Sequence, residues 1–533
     1  MANQTDEYVI KSGEAVDYTP YFTAHGFRYC ALSIHPPSTP VRTPSGPQAD
    51  VVASVDAEFE WRPSLETLTS HFLHTDVAEV GHLQLADVPA EGNRTFGTAN
   101  VLGKIHSATR YSQLSQLFSL PTDCPQRERR GWLGDAHVSS NQASLQWDMQ
   151  ATYSKFLMDI AHSQDYGCSQ NPQGCANYRQ HNDPDDPQDL AGSLSDVVPY
   201  DSIGQFPGTL VWQAAYVILV RNHWRHYGDS AIVIQHYPNL VKLMTHFQRT
   251  FVNATTGLAD LEGHGDWVCV GPNGPGQMGS PGSCARTPAD LVTAFYWIQC
   301  LNFMHDLSAV AEQPASEVEE WLTRHSAAVK AFHIHYWDVG AQAYAPVHYT
   351  NVPGQTWSLI TEPRGSQTSN AMALALGAPP DEATRAATQQ ALVENVNKNG
   401  GHLTVGIFGI QVLLPMLAVG GRGDLALSIL LQDTYPSLGH MVHVNQTTLC
   451  EDWTCGAHVT DGPDAAGDPP ASNHRSLNHI MYGAFHSWMI TKLGGLETVS
   501  NATSTGWRHI VVSTAALVLA AIVPIVLPSH CKA

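Results

Sequence analysis

Charge is scarce in this chain of 533 residues: Asp, Glu, Lys and Arg make up 14% of it, against about 25% in an average soluble protein. Basic residues are scarcer still, 27 against 48 acidic ones, for a formal charge of −21. That shortage excludes nucleic acid as the main partner, because phosphate binding needs Lys/Arg patches. The ten cysteines form neither CxxC…CxxC nor Cys/His zinc spacing, and no Gly-x-Ser-x-Gly elbow occurs. Gly274-Pro275-Gly276-Gln277-Met278-Gly279 matches GxGxxG in letters, but it follows no strand and opens no helix, so dinucleotide binding is set aside. His333 with His335, and His223 with His226, have no third ligand in view and read as helix histidines. No metal and no cofactor is expected. Met1 to Pro20 holds no apolar core, so no signal peptide is visible. No short solenoid-type period is present either.

What is present is apolar and aromatic. With 43% hydrophobic residues and 13 Trp, the chain is able to build a large core, and global disorder is excluded. The 28 histidines and many Trp and Tyr make a polar, weakly charged chain that suits a neutral polar ligand such as a sugar. Cys168/Cys175, Cys269/Cys284 and Cys450/Cys455 are close pairs in Gly/Pro/Asn/Asp-rich stretches. They read as local loop disulfides and hence an oxidising compartment. Cys30, Cys124 and Cys300 sit in apolar surroundings and read as core thiols. N-glycosylation acceptors stand at Asn3, Asn93, Asn253, Asn445 and Asn501. Ile510 to Leu527 is an uncharged run just long enough to cross a bilayer, preceded by the small residues 500–504. This pattern suits a cleaved lipid (GPI) anchor signal, or else a retained membrane helix. The expected location is the cell surface or outside the cell, with membrane attachment through this tail.

Periodicity divides the chain. Tyr8-Val9-Ile10, Phe27 to Leu32 and Ala57 to Trp61 are short strand-like runs, so residues 1–98 read as β-rich. Helical periodicity follows over 99–120, 139–164, 207–228, 230–251, 288–311, 315–337, 369–377, 380–399, 408–420, 423–432 and 474–495. The connecting stretches 166–206, 253–287, 338–368 and 452–473 are long and rich in Gly, Pro, Asp and Asn. A helical array of this length without a repeat favours a closed toroid, with loops at one end forming a pocket. The expected domains are a β segment at 1–98, a helical barrel at 99–498, and a linker with tail at 499–533.

The chemistry concentrates in Asp123-Cys124-Pro125-Gln126-Arg127-Glu128-Arg129-Arg130-Gly131-Trp132-Leu133-Gly134-Asp135, read as a helix-to-helix loop. Three carboxylates, three Arg and a Trp crowd thirteen residues of a charge-poor chain. Arg127 would hold one carboxylate ionised, while a desolvated one keeps its proton. Cys450-Glu451-Asp452-Trp453 and Gly263-His264-Gly265-Asp266-Trp267 repeat the pairing of acid and Trp. A Trp platform beside hydroxyl acceptors suits a sugar ring. Two carboxylates with split roles are what glycosidic bond cleavage requires.

These residues resemble a family. Asp-Cys-Pro-Gln-Arg-Glu followed by Gly-Trp-Leu-Gly-Asp is similar to the signature loop of bacterial and fungal α-L-rhamnosidases, glycoside hydrolase family 78. His25-Gly26-Phe27-Arg28-Tyr29, Gly265-Asp266-Trp267, Thr287-Pro288, His402-Leu403-Thr404 with Gly406 and Gly409, Tyr435-Pro436-Ser437, Thr447-Thr448 and Ser476-Leu477-Asn478-His479 fall in that family's order. The resemblance implies a mainly α fold, an (α/α)6 barrel preceded by a small partial β-sandwich segment, with a C-terminal hydrophobic tail. It implies an inverting, exo-acting hydrolase of terminal α-L-rhamnosides, with Glu128 as general acid and Glu451 as general base. Asp123, Arg127, Trp132, Asp135, Asp266, Trp267 and His479 would hold the sugar. The chain departs from the family at Gln213-Ala214, where Gly-Asp is usual, and at Leu438, where Trp is common. The alternatives are a non-catalytic sugar-binding surface protein on the same scaffold, or a six-hairpin glycosidase with another substrate.

Overall fold

The computed structural model describes residues 71–81, 83, 98–164, 190–201, 203–259, 263–270, 286–345, 362–455, 475–498 and 510–512, with Thr19, Ala24 and His25 as isolated positions. The chain divides into two compact units, Ala2–Leu73 and the unit running from His74 to the C-terminus. The strand-like runs of the first ninety-odd residues lie outside the described residues. So does the tail beyond Val512.

The second unit is helical: α1 Thr98–Ser115, α2 Leu133–Gln146, α3 Gln150–Ser163, α4 Ala215–Tyr227, α5 Ser230–Thr250, α6 Ala289–Val310, α7 Ala315–Tyr336, α8 Gln367–Leu376, α9 Glu382–Lys398, α10 Gly409–Val419, α11 Gly423–Leu430, α12 Leu438–His443 and α13 Phe485–Trp488. Two short hairpins accompany them. Strand β1 (Trp337–Asp338) pairs antiparallel with β2 (Ala343–Tyr344), and β3 (Leu496–Thr498) with β4 (Ile510–Val512). Among the described residues no helix is long and apolar enough to cross a membrane.

Burial sorts these helices into two rings. In α2 every residue but Asn141 is buried, and α8 is buried through Leu374. In α9 the buried positions are Thr388, Ala391, Leu392, Asn395 and Val396, a single stripe at helical spacing. The all-round buried helices must lie inside, and the striped ones outside. The packing follows: α2 meets α4, α4 meets α6, α6 meets α8, α8 meets α10, α10 meets α13, and α13 returns to α2. Six inner helices therefore close on themselves. Outside them, α3 and α5 pack on α4, α7 on α6, α9 on α8, α11 on α10, and α1 on α12. One continuous apolar core runs through the whole ring.

Two helix expectations fail for local reasons. The single helix expected over 139–164 is two, broken at Trp147. There the backbone turns extended (φ −126°, ψ 146°) and pairs with Glu79. Asp148 N donates to Ala78 O at 2.8 Å and Val80 N to Gln146 O at 2.8 Å, so a crossing segment captures the backbone groups a continuing helix would use. The expected helix over 474–495 starts only at Phe485. Residues 475–479 instead run beside 449–451, with Glu451 N donating to Ser476 O and His479 N to Leu449 O, both at 2.8 Å. In the other direction α2 begins at Leu133, so Gly134 and Asp135 stand in its first turn rather than in a loop.

Of the expected disulfides, Cys450–Cys455 is formed, and Cys269 is also disulfide-bonded. The Cys168/Cys175 pair lies outside the described residues, as do Cys284 and Cys30. Cys124 and Cys300 are free and buried.

Candidate active site

Five chain segments meet at one end of the ring. Gln126 Nε2 donates to Ser476 Oγ at 2.5 Å. Trp453 Nε1 reaches Val405 O at 3.0 Å, and Tyr482 OH reaches Val268 O at 2.6 Å. The loop ahead of α2, the turn 263–268, the approach to α10, the loop 449–455 and the segment 475–482 are thereby tied together.

The loop ahead of α2 closes through its own first residue. Arg130 N donates to Asp123 Oδ1 at 2.7 Å, and Asp123 N to Arg130 O at 3.0 Å. Cys124 Sγ donates to Asp123 Oδ2 at 2.9 Å and accepts from Glu128 N at 3.3 Å. Burial, followed by the Asp123 carboxylate, pushes the Cys124 thiol up to about 12, so it serves as a donor and not as a thiolate. This closure turns Arg127 and Glu128 outward.

Arg127 then joins the two candidate acids. Its Nη2 lies 2.7 Å from Glu128 Oε1 and 2.8 Å from Glu451 Oε2, so those two oxygens are at most 5.5 Å apart. Trp132 Nε1 donates to the other Glu128 oxygen at 2.9 Å. Glu451 is the more enclosed of the pair, with 8% side-chain exposure against 29% for Glu128. It also accepts from Arg475 Nη1 at 3.1 Å and from Ser476 N at 2.6 Å. Burial by itself would raise the Glu451 carboxyl. His479, Arg127, the Ser476 N–H and Arg475 outweigh it and hold the group below the ordinary carboxylate range. Because burial lowers His479 itself to about 4, the two arginines and the N–H carry this effect at neutral pH.

Asp135 faces the same place. Its Oδ1 stands 3.4 Å from His479 Nδ1. Burial, then the neighbouring Asp123, Glu128 and Glu451 carboxylates, lifts it well above the ordinary range. Behind it the Trp212 indole lies over Gly134, where a Cβ would strike the ring. Trp212, His264 and Trp267 form an edge-to-face cluster, with ring centres 4.5 Å apart for Trp212–His264, 5.2 Å for His264–Trp267 and 6.2 Å for Trp212–Trp267. His264 Nε2 is 3.5 Å from the buried Asp196.

The structure therefore brings together Arg127, Glu128, Trp132, Asp135, Glu451 and His479, and joins Trp267 to them through Trp212. It places Asp123 and Asp266 behind this surface, at 2% and 0% exposure. Asp266 accepts from Thr368 Oγ1 (2.6 Å), Gly406 N (2.8 Å), Phe408 N (3.0 Å) and Gly409 N (2.9 Å). A Cβ at Gly406 or Gly409 would collide with Asp266 itself, which explains the spacing of those glycines in the sequence. Sequence reasoning missed Arg475, Trp212, His264 and Asp196. Arg475 left a signal, being one of only 27 basic residues and adjacent to Ser476-Leu477-Asn478-His479. Among the described residues no group of three or more His, Cys, Asp or Glu is placed to hold a metal ion.

A family model for the bacterial α-L-rhamnosidase six-hairpin glycosidase domain matches residues 94–493. The chain belongs to that family. Similar curated proteins include an α-L-rhamnosidase of Formosa agariphila, 23% identical over 96% of this chain and 44% of that protein. Another, from Streptomyces avermitilis, is 24% identical over 96% of this chain and 39% of that protein. The chain thus spans less than half the length of these relatives. Among solved structures, the α-L-rhamnosidase from Dictyoglumus thermophilum superposes with a TM-score of 0.66, at 24% identity over 84% of this chain and 41% of that one. The Streptomyces avermitilis α-L-rhamnosidase complexed with L-rhamnose gives 0.60, at 22% identity over 82% and 34%. At these identities the structural likeness establishes the six-hairpin fold.

Proposed function

We propose that this six-hairpin domain is an exo-acting glycoside hydrolase that removes terminal α-L-rhamnose with inversion. The observation that carries the reading is the meeting of Glu128 and Glu451, from loops more than 300 residues apart, on one Arg127 nitrogen. The relatives' names supply the sugar. In this reading Glu128 gives its proton to the glycosidic oxygen as the bond to C1 breaks. Glu451, held ionised, takes a proton from the water that attacks C1 from the opposite face. Asp135 and His479 face the sugar hydroxyls, and the Trp212–His264–Trp267 cluster supplies the apolar wall for its methyl group.

An inverting pair needs about 6.5–9.5 Å between carboxyls to admit sugar and water, whereas retention needs about 5–5.5 Å. The nearest oxygens here are at most 5.5 Å apart. Of the pair, the partly exposed Glu128 is the one with room to move away from Arg127 as the glycoside enters. Hydrolysis of an aryl α-L-rhamnoside, followed by proton NMR of the first-formed sugar, tests both parts. β-Rhamnose is expected, with turnover reduced about 1,000-fold or more in Glu128→Gln. First-formed α-rhamnose would overturn inversion, and equal rates in Glu128→Gln would remove Glu128 as the acid. Calorimetric binding of rhamnose with no turnover at all would instead identify a sugar-binding surface protein.

A further inference from the structure

We infer that the Cys450–Cys455 disulfide is a positioning device for Glu451, so that hydrolytic competence depends on the oxidised state of this bond. The inference rests on the reading of Glu451 as the general base.

The bond closes a six-residue ring, Cys450-Glu451-Asp452-Trp453-Thr454-Cys455, with Glu451 as the first residue inside it. Both sulfurs belong to buried residues. The ring has a firm inner side. Leu449 N donates to Ser112 Oγ at 2.8 Å on α1, Glu451 N to Ser476 O at 2.8 Å, and Trp453 stacks on Tyr482 with ring centres 4.0 Å apart. Its outer side is held differently. Asp452 Oδ1 accepts from Thr454 N, Thr454 Oγ1 and Cys455 N at 2.8, 2.7 and 2.9 Å, all within the ring. Cys455 adopts a left-handed backbone, φ 50°, which a residue with a Cβ keeps only when its surroundings impose it. The disulfide is the link that ties Cys455 back to the buried Cys450.

Glu451 needs that closure because three separate donors hold its carboxylate within 2.6–3.1 Å. Displacement of about 1 Å weakens all three at once and moves the base off the attacking water, which costs on the order of 100-fold in rate. Cys450 and Cys455 are thus positioning residues; neither touches the sugar.

The test is the C450S/C455S double variant beside the unmodified protein. We expect kcat on an aryl α-L-rhamnoside to fall about 10- to 100-fold with KM changed less than about threefold. The acid limb of kcat/KM should move to higher pH, because loosened donors no longer hold Glu451 ionised. Wild-type kcat and an unmoved limb in the variant would overturn the inference. Should the variant fail to fold, dithiothreitol on the native protein decides. It is oxidised to its cyclic disulfide as two protein thiols appear, and activity should fall in step with the Cys450/Cys455 thiols and return on reoxidation. Thiols titrating at these positions with full activity would also overturn it. A protein without rhamnosidase turnover would fail the functional reading instead. Carbon NMR titration of Glu451 would then still read the positioning, expected to move upward by about half a pH unit or more in the double variant.

Discussion

At the residue scale, one guanidinium decides how the acidic pair is held. Arg127 presents planar, always-charged donors, and a single nitrogen serves both carboxylates. Its charge opposes the burial that would lift Glu451. Arg127→Gln keeps an amide donor on a shorter side chain and removes the charge. The sign follows: without the cation the Glu451 carboxyl rises, so the base takes up a proton at higher pH as the solution is acidified. The acid limb of kcat/KM should therefore move upward, with a fall of about 10- to 100-fold at neutral pH. A pH–rate profile identical to that of the unmodified protein would show that Arg127 does not tune Glu451. The same residue shows what the sequence made legible. An Arg beside Glu128 in a charge-poor chain pointed to a carboxylate held ionised. That the carboxylate is Glu451, over 300 positions away, depends on tertiary placement and left no local trace.

At the scale of elements, the site hangs on short segments pinned to inner helices. Asp266 fastens the start of α10 through the N–H groups of Gly406, Phe408 and Gly409, and reaches α8 through Thr368. Asp266→Ala would leave three buried N–H groups without that acceptor, at a cost of about 3 kcal/mol or more of unfolding free energy. Urea unfolding should register this as a lower midpoint, whereas Glu128→Gln, partly exposed, should stay within about 0.5 kcal/mol. Equal midpoints for Asp266→Ala and the parent would refute the pinning role. The amphipathic stripe of α9 was readable because one face meets solvent. The break at Trp147 was not, since the competing backbone partners at 78–80 lie far upstream in the chain. The 475–479 segment escaped for the same reason. The 474–495 stretch has helical apolar spacing, but the backbone groups of its first residues are claimed by 449–451. Asp266 read as a sugar ligand because acid beside Trp is the same pattern whether the carboxylate faces a pocket or an inner loop.

At the scale of the whole molecule, low charge and abundant histidine acquire a common consequence. A closed ring of helices buries much of its polar inventory, and His137, His223, His236, His479 and His486 are all buried. Burial lowers each of them: His137 to about 3, His236 and His479 to about 4, His486 well below its ordinary value, and His223 in the same direction. A histidine with a depressed folded pKa takes up its proton first in the unfolded chain. Below about pH 6.5 the unfolded state therefore binds more protons, and stability falls as pH drops toward the folded values. Each such group contributes a slope of up to about 1.4 kcal/mol per pH unit within that window. Asp123, Asp135 and Asp266 act in the opposite sense, since burial raises them and their charged forms burden the folded state above about pH 4. We expect the histidine effect to outweigh that of the aspartates as the pH falls below 6.5. Calorimetric melting at pH 7, 6 and 5 should show Tm falling at each step, with His137→Phe, which keeps the stack on Phe408, flattening the decline. A Tm that holds or rises from pH 7 to 5 would mean that the buried aspartates dominate, and that the ring's interior is governed by its few acids rather than by its many histidines.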